Sequence, residues 1–269
     1  MKARILVSLA SGSLWVLSGL AIPVSITDLG TPYFQDFNTL AVSGTTNTYL
    51  PPGWAIGEFG ANADQKYRAG SGGSNVGDTY SFGAAGETDR ALGTLQSANL
   101  WSLFGAQFRN DTDHVITAIT ISYWGEQWRV GSTGRMDKLT FLYSLDATSL
   151  TDGSWAFVPE LDFVGPDTGS PVGARNGNDP NYRRWITYTI HHLEILPGQE
   201  WWIQWRDFDA SGADDGLAVD DFTMSFQGYR IPNAVPEFGS TAGLLLVGLW
   251  ACRRWRVFVA QRTCVRPRS

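Results

Sequence analysis

The chain has 269 residues, of which only 17% are charged and 13% are aromatic, and it contains 30 glycines. This composition excludes a disordered chain, disfavours a helical one and is typical of a β-sheet protein with many turns. The segment between positions 26 and 250 carries all 26 acidic residues but only 12 of the 20 basic ones, a formal charge of −14. Such an acidic segment repels phosphate backbones, so we expect no nucleic-acid partner, whereas divalent cations are favoured.

The first residues have the pattern of a secretory signal peptide. Lys2 and Arg4 precede an apolar stretch over residues 5–20, and small residues precede a cleavage site after Ala21. We therefore predict a signal peptide over residues 1–21. The alternative is an uncleaved anchor helix, which the interrupting small residues and Pro23 disfavour.

Short apolar stretches separated by turn residues recur over residues 22–230. Several of them alternate with period two, and none has a sustained apolar period of 3.6 residues. The pattern predicts one all-β domain over residues 22–230, a β-sandwich of jelly-roll (concanavalin/lectin-like) type, with a signal helix before it and a hydrophobic helix after it. The predicted strands are 78–83, 90–95, 104–110, 115–130, 137–146, 155–163, 183–195, 200–209 and 216–229. Before them we expect an opening strand and loop over 31–58 and a flexible loop over 60–77.

The acidic stretch after residue 206 is the best candidate for a metal site. Asp207, Asp209 and a following glycine match the first half of a calcium-binding loop, and Asp215 belongs to the same cluster. A complete EF-hand is excluded, because Ala218 stands where a bidentate glutamate is required. The sequence therefore predicts a simpler Ca²⁺ loop. The alternative is that these aspartates cap turns by accepting hydrogen bonds from backbone amides, without a metal.

Asp220 is a further predicted calcium ligand. In regular alternation it shares one strand face with Ala218, Phe222, Met224 and Phe226, and that face is expected in the core. A carboxylate on a core face requires a cation or several hydrogen-bond donors.

The stretch around Glu126 contains the candidate glycan contacts. Trp124, Glu126 and Trp128 share one strand face, so Glu126 lies between two indoles, as in a sugar-stacking platform. The alternative is that Glu126 is a buried acid paired with Arg129 or another arginine.

No convincing catalytic constellation is present. The nucleophile elbow, the His-Glu-x-x-His zinc pattern and a phosphate-binding glycine loop are all missing from the sequence. Glu160 and Asp162 begin the Glu-x-Asp-x-x-Glu pattern of jelly-roll glucanases, but Gly165 stands at its last acidic position. We therefore expect that the protein is not an enzyme.

The C-terminal segment over residues 235–256 resembles the PEP-CTERM sorting domain of Gram-negative bacteria. That domain combines a Val-Pro-Glu-Pro motif, a hydrophobic helix and a basic cluster, in proteins that also carry a signal peptide. The matching motif residues are Val235, Pro236, Glu237, Arg253, Arg254 and Arg256. Phe238 replaces the second proline, and residues 257–269 follow as a basic tail. The resemblance implies cleavage by an exosortase in the inner membrane, and export to the cell surface or the extracellular matrix.

The stretch DGLAVDDF (residues 215–222) also resembles the closing strand of MAM-type and reelin-type jelly rolls. In those domains an aspartate of this strand and an acid near the first strand bind a cation. The resemblance adds Asp36 to the predicted calcium ligands, beside Asp220 or Asp221.

These observations predict an exported cell-surface or matrix protein with a structural or adhesive role, held transiently at the inner membrane and stabilised by Ca²⁺. The first alternative is a carbohydrate-binding module for exopolysaccharide, and the second is a polysaccharide hydrolase.

Overall fold

The structure is a computed structural model, and it describes residues 22–230. The predicted signal peptide, the sorting segment and the basic tail lie outside the described residues. Among residues 22–230, no helix is long and apolar enough to cross a membrane.

The described residues form 15 β-strands and one short 3-10 helix, Pro159–Leu161. The strands are β1 (Val24–Ile26), β2 (Tyr33–Gln35), β3 (Trp54–Phe59), β4 (Tyr67–Gly70), β5 (Asp78–Phe82), β6 (Ala91–Leu95), β7 (Trp101–Asn110), β8 (His114–Val130), β9 (Lys138–Ser144), β10 (Ala156–Phe157), β11 (Phe163–Val164), β12 (Gly173–Ala174), β13 (Arg183–Ile190), β14 (Glu200–Asp207) and β15 (Gly216–Arg230).

The strands belong to two sheets. Sheet A has the order β1-β7-β14-β9-β10, with β3 also paired to β7 and β11 to β9. Sheet B has the order β12-β8-β15-β6-β5-β4, with β13 also paired to β8 and β2 to β15. The pairs β1–β7 and β4–β5 are parallel, and the other pairs are antiparallel. The prediction of an all-β sandwich is therefore confirmed.

The core between the two sheets is organised around Trp205, which is completely buried. Its ring centroid lies 5.1 Å from that of Phe141 and 5.5 Å from that of Phe104, both in sheet A. From sheet B, Tyr123 and Phe222 reach it at 5.3 Å and 5.7 Å, each with its ring nearly perpendicular to the indole. Aromatic rings supply much of the apolar area that stabilises this interior.

Most of the strands lie where alternation predicts them, and the differences have local causes. The predicted strand 155–163 is interrupted, because Pro159 begins the 3-10 helix and separates β10 from β11. Two further strands, β3 and β4, lie in stretches predicted as loops. Both contain or adjoin glycines, which hide their strand character in a pattern search.

Candidate functional site

The candidate site lies on the outer face of sheet B. Odd-numbered side chains of β8, including Ile121 and Tyr123, pack in the core, so alternation directs the even-numbered ones outward. Trp124, Glu126 and Trp128 therefore share the outer face of β8.

A neighbouring strand adds a second indole, which sequence reasoning did not single out. Trp185 on β13 is the register partner of Trp124, and their ring centroids are 5.4 Å apart. Trp185 is 48% exposed, and Trp124 is half-buried. Arg183 shares their face, with Cζ 4.3 Å from the ring centroid of Trp124. Only the pairing of β13 with β8 reveals this cluster, and pairing is not a local property of the sequence.

A row of hydroxyl groups continues the same outer face beyond the indoles. The side chains of Ser122 and Thr187 are hydrogen-bonded at 2.8 Å, and those of Thr120 and Thr189 are also bonded at 2.8 Å. The face thus presents an aromatic end and a hydroxyl-lined end.

Trp128 does not contribute to the exposed surface. It is 1% exposed and packs against Phe82, whose ring in turn stacks on Tyr80. Gly177 covers the indole closely, since a Cβ at that glycine would lie 2.4 Å from Nε1 of Trp128. The prediction that Trp128 contacts a glycan is therefore wrong, because the segment after β12 covers it.

Glu126 is a buried acid, as the alternative interpretation expects. It is 1% exposed, and its Oε2 accepts a hydrogen bond of 2.9 Å from Nε1 of Trp128. Burial raises the pKa of Glu126 to about 7, although the bond from Trp128 opposes that increase. Arg129 is not its partner, because the Arg129 guanidinium donates to the carbonyl of Gly72 at 3.0 Å.

A β-bulge in β15 brings Asp220 to the same outer face. The register with β8 shifts between Asp220, which is opposite Trp124, and Thr223, which is opposite Ser122. Asp221, inside the bulge, has a φ of 46°. The extra residue reverses the side of the sheet toward which each later side chain points.

The expectation that Asp220 lies on the core face is therefore wrong. Ala218 and Asp220, before the bulge, point outward, whereas Phe222, Met224 and Phe226, after it, are buried in the core. Sequence alternation assumes an unbroken strand, and the bulge breaks it.

Asp220 and Glu126 form a pair of buried acids beneath this face. The register partner of Glu126 is Ala218, so the two acids lie diagonally on adjacent strands. Asp220 is 4% exposed. Burial raises the pKa of Asp220 to about 9, and repulsion by Glu126 adds to the increase. The pair therefore retains a proton at neutral pH.

The five predicted calcium ligands do not form one site. Asp36 follows β2, which pairs with β15 just after the bulge, so it lies near Asp221, and its Oδ1 accepts a hydrogen bond of 3.1 Å from the amide of Asn38. Asp207 and Asp215 belong to a different group, between β14 and β15, and Asp209 is exposed. Among residues 22–230, no group of three or more His, Cys, Asp or Glu side chains is arranged as a metal-ligand set.

In the predicted calcium loop after β14, side-chain oxygens accept hydrogen bonds from backbone amides, as in a capped turn. Asp214 accepts a hydrogen bond of 3.0 Å from the backbone amide of Ala210, and the hydroxyl of Ser132 accepts one of 2.9 Å from Ala213. Asp207 points into the interior, whereas Asp209 is exposed, so these two carboxylates do not converge as the loop pattern predicts.

Comparisons with known proteins identify no family. No protein-family model matches the sequence, and no curated protein is significantly similar. Among solved structures, the chain is similar to TmCBM61 in complex with β-1,4-galactotriose, with a TM-score of 0.32 and 10% identity, covering 65% of this chain and 88% of the other. The K2 cleaved adhesin domain of Lys-gingipain has a TM-score of 0.40 and 14% identity, with coverages of 74% and 98%. CBM28, a module specific for non-crystalline cellulose, has a TM-score of 0.30 and 14% identity, with coverages of 65% and 87%. At these scores the similarities assign neither ligand nor activity to this chain.

Proposed function

We propose that this protein is an exported, non-enzymatic β-sandwich of jelly-roll type that binds polysaccharide through the outer face of sheet B. The observation that carries this proposal is the pair formed by Trp124 and the 48% exposed Trp185, with Arg183 against it. Apolar surface combined with a few placed polar groups is typical of sites for small organic ligands.

The chemistry of a sugar ring matches this surface. A pyranose has an apolar face of C–H groups, which packs against an indole, and hydroxyl groups around its edge. Trp185 supplies an exposed indole, while Arg183 holds the ring of Trp124 in one orientation. The paired hydroxyls of Ser122 and Thr187 lie next along the strands and can exchange hydrogen bonds with sugar hydroxyls.

A matched pair of tryptophan variants tests the proposal. Trp185→Ala should weaken binding to the host's exopolysaccharide, measured by affinity electrophoresis, by about 10-fold, the value of one lost aromatic contact. Trp101→Ala is the control, because Trp101 is 47% exposed on sheet A, where it stacks on Phe59. Unchanged binding by Trp185→Ala, or an equal loss in both variants, would contradict the proposal.

The acids Glu126 and Asp220 keep polysaccharide hydrolysis as a second candidate. Glycosidases use two carboxyl groups, one of them with a raised pKa. Here, however, exposures of 1% and 4% keep substrate away from both groups, which favours a binding surface over a catalytic one. A reducing-end assay on the same polysaccharide distinguishes the two. Release of sugar that Glu126→Gln abolishes would establish the hydrolase.

We also propose that the protein is sorted to the cell surface or the extracellular matrix, where glycan binding gives it a structural or adhesive role. The support is in the sequence, where Val235-Pro236-Glu237 precedes an apolar stretch and the cluster Arg253, Arg254 and Arg256. An exosortase would hold the chain briefly at the inner membrane and then cleave it. Mass spectrometry of the mature protein should find neither the first 21 residues nor the basic tail. A mature chain ending at Ser269 would contradict this sorting route.

A further inference from the structure

A cluster of buried aspartates occupies one end of the sandwich, apart from the tryptophan surface. Asp137, Asp214 and Asp215 are 1%, 5% and 2% exposed. Asp207 joins them as the last residue of β14, because it pairs in register with Leu139, two positions after Asp137.

The side chain of Asp207 points into the interior between the two sheets. It has the same parity along β14 as Trp201 and Trp205, which are core residues. Both of its carboxylate oxygens are buried, and neither makes a hydrogen bond of normal length and angle to any described residue, although the hydroxyl of Thr94 and the backbone amide of Gln96 lie close enough to oppose the rise of its pKa. Thr94, which approaches it from β6, has its hydroxyl bonded to Ser102. A buried carboxylate without donors is strongly unfavourable unless a cation or a proton neutralises it.

Two of the other aspartates are already saturated by protein donors. Asp215 accepts hydrogen bonds from the amide of Gly131 at 2.8 Å and from Nε2 of Gln127 at 2.7 Å, one on each oxygen. Asp137 accepts from the amides of Asp215 and Lys138, at 2.7 Å and 2.8 Å. Asp215 therefore has little capacity left, and Asp137 contributes chiefly its charge.

Asp214, like Asp207, has a carboxylate oxygen that accepts no hydrogen bond of normal geometry from a described residue. Its Oδ1 accepts the hydrogen bond from Ala210, while its Oδ2 has no hydrogen-bond partner among the described residues. Burial raises the pKa of Asp214 to about 6, and repulsion by Asp137 adds to that increase. The pKa of Asp207 is raised well above its ordinary value, by burial and by repulsion from Asp137 and Asp214.

Arg135 is the cation that the structure places over this cluster. Its Nη1 lies 3.0 Å from Oδ2 of Asp137, and its Nη2 lies 3.6 Å from Oδ1 of Asp215. Nη2 also donates to the carbonyl of Ala213. One guanidinium faces four carboxyl groups and forms no ion pair with Asp207, so only a proton or a bound cation is left to neutralise that group.

We propose that Asp207 and Asp214 bind a calcium ion at this end of the sandwich, with Asp137 adding negative charge and with backbone carbonyls and water completing the ligand shell. All available side-chain donors are oxygens, which suit a hard cation. Ca²⁺ accepts six to eight oxygens in irregular geometry, including carbonyls and water, so three converging carboxylates are not required. Of the ligands predicted from the sequence, only Asp207 belongs to this site. The ion would tie the loop between β14 and β15 to the start of β9.

The test is a comparison of melting temperatures of the full chain near neutral pH, in millimolar CaCl₂ and in EGTA. Calcium should raise the Tm of the wild type by about 5 °C or more at saturation. Mg²⁺ should produce a much smaller increase, because it requires near-octahedral geometry. Equal melting temperatures in calcium and in EGTA, or an equal increase with Mg²⁺, would overturn the proposal.

Two variants locate the ion. Asp207→Asn should lose the calcium-dependent increase, while its Tm in EGTA should equal or exceed that of the wild type, because a buried charge is removed. Asp209→Asn, at the exposed neighbouring aspartate, should retain the increase. A calcium response that survives in Asp207→Asn, or disappears in Asp209→Asn, would exclude this site. Neither variant alters Trp124 or Trp185, so the result is independent of glycan binding.

Discussion

Trp128 and Glu126, two positions apart on β8, are joined by a hydrogen bond of 2.9 Å from the indole Nε1 to Oε2. The indole of Trp128 lies under the segment that follows β12, and Asp220 is close enough to Glu126 for the two carboxyl groups to repel each other. These two acids contribute to how the stability of the sandwich responds to pH.

We expect the stability to decrease as the pH rises from about 5 to about 9. The pKa of Glu126 is raised to about 7 and that of Asp220 to about 9, so over this range the folded state binds more protons than the unfolded state. Their contribution is therefore fully present below the ordinary carboxyl pKa and is lost as the pH rises through the two folded values. Asp220→Asn should flatten this decrease and should melt above the wild type at about pH 8. Circular-dichroism melts in EGTA provide the measurement, and a variant that follows the wild-type pH profile would contradict it.

Replacing the central indole should destabilise the fold strongly. Trp205→Ala removes a completely buried side chain that contacts rings from both sheets, so we expect a loss of about 3–5 kcal/mol in the free energy of unfolding. Trp101→Ala, at a 47% exposed position, should cost about 1 kcal/mol or less. Urea denaturation of both variants measures the two losses in the free energy of unfolding. Similar losses in the two variants would contradict the prediction.

Gly125 should tolerate no larger side chain. A Cβ at this position would lie 2.2 Å from Cδ2 of Phe163, a ring that is itself completely buried. Gly125→Ala should therefore destabilise the fold by about 1–3 kcal/mol through overpacking. Gly73→Ala is the matched control, because nothing lies within 4 Å of its added Cβ, and its effect should stay within about 0.5 kcal/mol. If the two alanine variants unfold at the same urea concentration, the close packing at Gly125 is not real.

Arg183 should position the binding surface through its contact with Trp124. Arg183→Ala should weaken polysaccharide binding by about 2–5-fold, the value of an exposed cation–π contact, and Arg183→Lys should restore part of it. Arg184→Ala is the control, because alternation sends Arg184 to the opposite face and its Nη1 bonds to backbone carbonyls. By affinity electrophoresis, the loss of polysaccharide binding should be largest for Arg183→Ala, smaller for Arg183→Lys and smallest for Arg184→Ala. A larger loss in Arg184→Ala than in Arg183→Ala would argue against the proposed surface.

The sequence predicts the strands well, but it predicts the site only in part. Alternation correctly places Trp124 and Glu126 on one face, because β8 is regular over that stretch. Trp185 could not be assigned to them, since strand pairing joins residues that are 61 positions apart in the sequence. The burial of Trp128 also depends on a distant segment, because the segment that contains Gly177 covers its ring.

The calcium ligands could also be predicted from the sequence only in part. A run of acids predicts a cation, but it does not say which carboxylates already have donors. Asp215 accepts hydrogen bonds from Gln127 of β8 and from Gly131 just after it, more than 80 residues earlier, while neither oxygen of Asp207 accepts a hydrogen bond of normal geometry from a described residue. Ligand identity thus depends on hydrogen bonds that only the folded chain defines.

Asp221 is an extra residue in β15, and it reverses the alternation of inward and outward side chains along the strand. Every residue before it is assigned inward or outward by one rule, and every residue after it by the opposite rule. Deleting this single residue would leave the hydrogen-bonding partners of the strand available, yet would direct the core side chains of one half, Phe222, Met224 and Phe226, toward the outer face. Both halves of β15 supply core side chains, Leu217 and Val219 before the bulge and Phe222, Met224 and Phe226 after it, and the extra residue between them allows both sets to point inward.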